Sequence, residues 1–233
     1  MHDEYIISKQ RVADHGEVYT RQREVNAMVD LVKQETERIE SRFLEPACGT
    51  GNFLAEILVR KLRVVEKRYG KSQLEYERNA ILAVSSIYGI DILEDNVQKC
   101  RQRLFGIFEL NYLRLFGKKA KDACRESVRF ILRTNIIHGD ALSFKTVGDI
   151  PRPIVFPEWS PVNGSFFKRR DFAFSELLMY AESPRQTSFM DEPEQLSIFS
   201  DLGEKSFIPT PIVEYPLVHF LKLGEEESAD DAD

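Results

Sequence analysis

Two glycines one residue apart, Gly49 and Gly51, follow the short apolar entry Arg42-Phe43-Leu44 and precede an apolar-periodic stretch that starts near Asn52. Glycine tolerates positive φ and leaves the backbone open to a ligand, with no Cβ in the way. A strand, a Gly-x-Gly turn and a helix N-terminus together form a nucleotide-type cradle, its free N–H groups facing the ligand. The turn lacks the third glycine of the dinucleotide fingerprint, and no Gly-Lys-Ser/Thr follows it as a phosphate loop requires. By itself the pair is an ordinary turn. Two acids extend the pattern: Asp91 sits near the end of the apolar run Ser86–Ile92, and Asp140 follows Asn135–Gly139. A carboxylate at the carboxyl end of a parallel strand can accept both hydroxyls of a ribose. The same position is also a common cap for the next helix.

Placing these residues takes strands alternating with helices. The pattern predicts helices over 21–40, with Thr20 as N-cap and Val25, Met28, Val29 and Val32 on one face, and over 52–68, with Leu54, Ile57, Leu58, Leu62 and Val65 inward. Further helices are expected over 72–85, 93–116 and 120–132. The helix over 72–85 explains why Asp91 lies 40 residues past Gly51, where a minimal βαβ unit would put its acid about 20 on. Strands alternating with helices read as an α/β fold with a parallel sheet.

The full string Phe43–Leu54, Phe-Leu-Glu-Pro-Ala-Cys-Gly-Thr-Gly-Asn-Phe-Leu, resembles the cofactor motif of S-adenosylmethionine (SAM)-dependent methyltransferases. Its form is that of adenine-specific DNA methyltransferases, such as the modification component of restriction–modification systems. Asn135–Leu142 resembles the family segment whose aspartate reads the adenine of SAM. Gly16 and Thr20 fit the spacing of the family's Gly-x-x-x-Thr-Pro string, with Arg21 replacing the proline. The resemblance spans about residues 1–150 and implies a Rossmann-like sheet with helices on both faces. No strand beyond the third is legible there, so the sheet reads as incomplete. It implies S-adenosyl-L-methionine as cofactor, held by Gly16, Thr20, Glu45, Pro46, Ala47, Gly49, Gly51, Asn52, Phe53, Asp91, Ile92, Asp140 and Ala141. Within that set Asp91 takes the ribose and Asp140 the adenine, and a Cβ at Gly51 is expected to intrude on the cofactor's space. His138 reads as a packing or capping residue.

The resemblance stops where the chemistry would start. Amino-group methyltransferases place Asn-Pro-Pro-Tyr/Phe after the next strand: an amide and a proline carbonyl accept the amine's protons, and the aromatic stacks on the flipped base. No Asn-Pro-Pro-aromatic or Asp-Pro-Pro-aromatic string occurs in the sequence, so catalytic residues cannot be named. Asn163-Gly164 between Ile154–Trp159 and Ser165–Phe174 instead predicts a β-hairpin. On it, Trp159 reads as a plug for the sheet edge or, with Lys168, Arg169 and Arg170, as a grip on single-stranded nucleic acid. A hairpin and short helix are expected over 151–182, a linker and extended arm over 183–223, and a disordered acidic tail over 224–233.

The net charge of −6 is carried by that tail, whose last ten residues hold six acids and no base. The remaining bases cluster at Arg60–Lys71, Lys118–Lys121 and Lys168–Arg170, as solvated helix faces or as a phosphate-tracking surface. Cys48, Cys100 and Cys124 have no metal-ligand spacing, no apolar run is long enough to span a membrane and the N-terminus is polar. A reduced, cytoplasmic protein is expected. Three readings stay open: a DNA adenine methyltransferase acting on DNA with a partner chain (a second methyltransferase or a specificity subunit), an inactive SAM-binding sensor or assembly subunit, and a protein methyltransferase.

Overall fold

The computed structural model describes residues 20–181, 198–199, 205–206 and 209–225. Among these residues two short helices come first, α1 (Gln22–Asp30) and α2 (Lys33–Thr36), followed by β1 (Phe43–Glu45). Next come α3 (Asn52–Tyr69) and α4 (Gln73–Ser85), then β2 (Ile87–Asp91). The second crossover holds α5 (Glu94–Phe116), a 3₁₀ turn and α6 (Asp122–Asn135), and leads to β3 (Ile136–Asp140). β1, β2 and β3 are parallel and adjacent in that order, and β4 (Lys145–Thr146) pairs antiparallel with β3.

Two spacings build this arrangement. On α6 the buried Cys124, Ser127, Val128, Ile131, Leu132 and Asn135 recur every three or four residues, which puts them on one helical face. On β2 all five residues are buried and alternate between the sheet's faces. Ile87 joins the main core with residues of α3, α4, α5 and α6, while Tyr88 and Ile90 join a second cluster with Ile154, Phe156 and Phe174. Phe174 opens α7 (Phe174–Ala181). Among the described residues helices therefore lie on both faces: α1 and α3 to α6 contribute to the main core, and α7 packs in the second cluster with Ile154 and Phe156.

That hairpin is β5 (Val155–Val162) with β6 (Phe166–Ala173), turning through Asn163 and Gly164 at φ 46° and 78°. Two successive positive φ values suit Asn-Gly and match the twist of the strands. A two-stranded ladder, β7 (Ile198–Phe199) with β8 (Lys205–Ser206), lies off the main sheets. The arm follows as β9 (Val213–Glu214) and β10 (Val218–His219), both paired to β6, and it buries Phe220 and Leu223 in the main core. No helix among the described residues is long and apolar enough to cross a membrane.

Several expectations are corrected. Residues 21–40 are not one helix: the chain turns at Leu31 and Val32, and only Val25 and Val29 of the expected face are buried, while Met28 and Val32 are exposed. Arg21, not Thr20, is the N-cap, its N–H donating to Glu24 Oε2 at 3.3 Å. Trp159 cannot stack on a strand of nucleic acid. Its ring is buried edge-to-face on Phe130, and Nε1 donates to Asn135 Oδ1 at 3.0 Å. Asn135 Nδ2 in turn donates to the carbonyls of Ser85 (3.1 Å) and Ile87 (3.0 Å), tying the hairpin to the sheet.

The Lys168–Arg170 cluster and part of Arg60–Lys71 are consumed internally. Arg169 meets Asp171 through two hydrogen bonds, Arg170 pairs with Glu158, Lys168 with Glu214, and Arg60 with both Asp30 and Glu56. Lys61 is buried, and its Nζ donates to the Ile39 carbonyl (2.9 Å), Ser86 Oγ (2.7 Å) and the Ser41 carbonyl. Three acceptors match the three N–H bonds of an ammonium. Burial lowers its pKa to about 7.

Candidate functional site

Register places Glu45 beside Gly89, and Asp91 beside His138, so the carboxyl ends of β1, β2 and β3 form one rim. Glu45, Asp91 and Asp140 stand at the three strand ends, around the turn that carries Gly49 and Gly51. Such rims are where open α/β sheets take their ligands.

The turn is braced from both sides. Cys48 N–H donates to the Ile90 carbonyl at 2.8 Å and Gly51 N–H to the Cys48 carbonyl at 2.8 Å. Asp91, 8% exposed, accepts from Gly49 N–H at 2.7 Å with Oδ2, and from Leu93 N–H and Asn96 Nδ2 with Oδ1. Its carboxylate therefore holds the glycine loop in place as well as standing at the rim.

The two glycines differ in kind. Gly49 has φ +51°, and a Cβ built on it meets nothing within 4 Å, so that side of the turn is open. Gly51 has φ +79°, and its Cβ would come within 2.5 Å of Cys100 Sγ on α5. The expected intrusion at Gly51 is thus against the protein core, where α3 begins against α5. Gly89 is close-packed in the same way, its added Cβ falling 3.0 Å from Cys48 Sγ and Leu54 Cδ1. Sequence reading missed Gly89 and Cys100, because their partners lie far along the chain.

The rim is acidic. Glu45 Oε2 is buried without a hydrogen-bond partner. Burial, then the neighbouring Asp91, pushes its pKa up to about 8. Asp140 is held below its ordinary value by the Ser143 hydroxyl and the Leu142 N–H, the latter at 2.9 Å. Cys48 is no nucleophile: its hydrogen bond with Cys100 and its burial push the thiol up. His138 Nε2 lies 3.0 Å from the Ile92 carbonyl, a contact that orients the turn after β2. Ile92 is half exposed beside it, and Ala141 packs under the rim against the second cluster.

Of the remaining expected contacts, Pro46 and Ala47 are exposed on the turn and Phe53 is half-buried behind it against the main core. Asn52 opens α3, accepts from Arg103 through Oδ1, and donates to the Thr20 carbonyl at 3.5 Å. Thr20 is thereby brought to the cradle, and Gly16 lies outside the described residues.

A cationic ligand rich in hydroxyl and amino donors fits this site. It would meet an unpartnered buried acceptor at Glu45, an open backbone at Gly49 and a half-buried carboxylate at Asp140.

A parallel βαβαβ unit with a glycine turn and acids at successive strand ends defines the class: a Rossmann-like methyltransferase fold. The chain belongs to the family described as MmeI, DNA-methyltransferase domain, whose model matches residues 20–151, more than half of its length. The family places it among DNA methyltransferases of restriction–modification type. No curated protein and no solved structure matches the chain.

Proposed function

We propose that this chain binds S-adenosyl-L-methionine at the β1–β3 rim and serves as the cofactor-holding half of a methyltransferase acting on the exocyclic amine of adenine in DNA. The observation that carries the reading is Glu45 Oε2, a carboxylate oxygen buried without a partner beside the glycine turn. An uncompensated polar atom of this kind is costly unless a ligand satisfies it. The bound cofactor supplies an electrophilic methyl group. The chain supplies the backbone approach at Gly49, acceptors for cationic and amino groups at Glu45 and Asp140, and a loop stiffened through Asp91. Its sequence holds no Asn-Pro-Pro-aromatic string to accept the amine's protons and stack the flipped base, and positioned proton transfer is worth about 10²–10⁴-fold in rate. A second chain with Asn-Pro-Pro-Tyr/Phe supplies both.

The test is tritium transfer from labelled SAM to mixed-sequence duplex DNA. The chain alone is expected to give background incorporation, and addition of the partner to restore it. Robust transfer by the chain alone would refute the division of labour.

A further inference from the structure

Two basic clusters far apart in sequence meet at the end of the helical layer away from the rim. α3 leaves the glycine turn and runs for 18 residues, about 27 Å at 1.5 Å per residue. Lys67 and Arg68 lie in its last turn and Lys71 just beyond it. α5 leaves the rim after β2, ends at Phe116 and is followed by Lys118 and Lys119 in the 3₁₀ turn. Three contacts hold the two ends together. Gln73 Nε2, two residues past Lys71, donates to the Lys119 carbonyl at 2.7 Å. Arg114 on α5 donates twice to Glu66 on α3, at 3.0 and 2.6 Å, and the ring of Tyr76 lies 5.2 Å from that of Phe116.

The acids of this end are already taken by other bases. Glu66 pairs with Arg114, Glu75 with Arg78, Glu77 with Lys121, and both Glu109 and Asp122 with Arg125. Lys67, Arg68, Lys71, Lys118 and Lys119 are exposed and, among the described residues, in no ion pair. Like charges gathered in this way repel one another and oppose folding. Lys71 also stands immediately before the Ser72 cap of α4, where the helix dipole disfavours a cation. The Lys168–Arg170 cluster, by contrast, is neutralised by Glu214, Asp171 and Glu158. A cationic surplus that the fold leaves unanswered suits an extended polyanion.

We propose that this end binds the phosphate backbone of duplex DNA, on a stretch other than the one presented to the rim. The chain belongs to a family of DNA-methyltransferase domains, so DNA is the polyanion it meets. Lysine and arginine contacts to phosphate position a duplex without reading its bases, and their affinity comes from counterion release. A duplex lying over the rim does not also wrap onto this end, because the two lie about 27 Å apart along α3 and DNA is stiff over about 150 base pairs. The surface therefore holds DNA independently of the crevice and without regard to sequence.

The measurement is fluorescence anisotropy of a labelled mixed-sequence duplex with the full chain, in the absence of SAM, across about 50–200 mM salt. The triple variant Lys71→Ala/Lys118→Ala/Lys119→Ala should bind more weakly. Its slope of log K against log salt should be flatter than that of wild type by about 2.7, ~0.9 for each lysine removed. Lysine acetylation of the wild-type chain with and without the duplex, read by mass spectrometry, locates the contact: Lys67, Lys71, Lys118 and Lys119 should be protected. Equal salt slopes in the two proteins, or no duplex binding at the lowest salt, overturn the proposal. So does protection of Lys145, the register partner of Asp140 at the rim, with those four lysines left reactive. The footprint needs no variant, so a misfolded triple variant leaves it decisive. No SAM is present, so failure of the cofactor reading is not mistaken for failure of this surface.

Discussion

Gly51→Ala separates the packing of the cradle from its ligand chemistry. The substitution forces a Cβ into a residue at φ +79° and sets it 2.5 Å from Cys100 Sγ. A left-handed conformation costs a non-glycine residue roughly 1–2 kcal/mol, and overpacking a tight core adds ~1–3 kcal/mol. The sum is about 2–5 kcal/mol. At roughly 2–4 °C per kcal/mol for a chain of this size, Tm should fall by roughly 4–20 °C. Gly49→Ala isolates the backbone part, because its φ is +51° with nothing within 4 Å of the added Cβ. It should lose only the first ~1–2 kcal/mol, while weakening SAM binding. Cys100→Ala removes the clashing sulfur, so the Gly51→Ala/Cys100→Ala double variant should recover ~1–3 kcal/mol relative to additivity. Urea unfolding of the four proteins, followed by circular dichroism, measures the cycle. Additivity within about 0.5 kcal/mol would refute the steric contact, and with it the placement of α3 against α5.

Three further outcomes follow from the geometry. Trp159→Ala should cost ~3–5 kcal/mol, and Trp159→Phe ~0.5–1.5 kcal/mol, since Asn135 Oδ1 then keeps only the longer bond from Thr134 Oγ1 at 3.4 Å; a Phe variant as stable as wild type in urea would mean that the indole bond does not tie the hairpin down. Glu45 ionises near pH 8 in the folded chain against an ordinary 4.5, so the unfolded chain releases this proton first and stability is lost as pH rises from about 4.5 through 8. Lys61, lowered to about 7 by burial, works in the opposite sense above pH 7, so the informative comparison is Tm against pH for wild type and Glu45→Gln; equal slopes between pH 5 and 8 would dismiss a perturbed Glu45. Because a cationic ligand favours the ionised carboxylate, SAM affinity should rise with pH through 8 in wild type and stay flat in Glu45→Gln, as read by titration at pH 6.5 and 8.5.

Much of the rim was legible because its signals are local. Each of β1, β2 and β3 is an apolar run closed by an acid, and the glycine pair sits directly after the first. α4 was legible to within a residue of its start, where the structure makes Ser72 the cap, its hydroxyl accepting from Glu75 N–H. What escaped depends on partners distant in sequence. Gly51 answers to Cys100, Trp159 to Asn135, and Lys61 to carbonyls about 20 residues earlier. The periodicity of 21–40 also misled, since Met28 and Val32 keep helical spacing while facing outward. Charge clusters read along the chain gave no hint that Arg60, Arg169 and Arg170 are neutralised by acids brought alongside in the fold.

Isothermal titration of the folded chain with SAM tests most directly whether the rim holds the cofactor. One site per chain is predicted. Asp140→Ala should weaken binding by roughly 10- to 100-fold, since a hydrogen bond to a charged acceptor is worth ~1.5–3 kcal/mol. Its carboxylate stands at the rim rather than in the core, so circular dichroism of this variant should match wild type. No binding heat over several temperatures from wild-type protein with its native circular dichroism, or undiminished affinity in Asp140→Ala, would contradict the assignment.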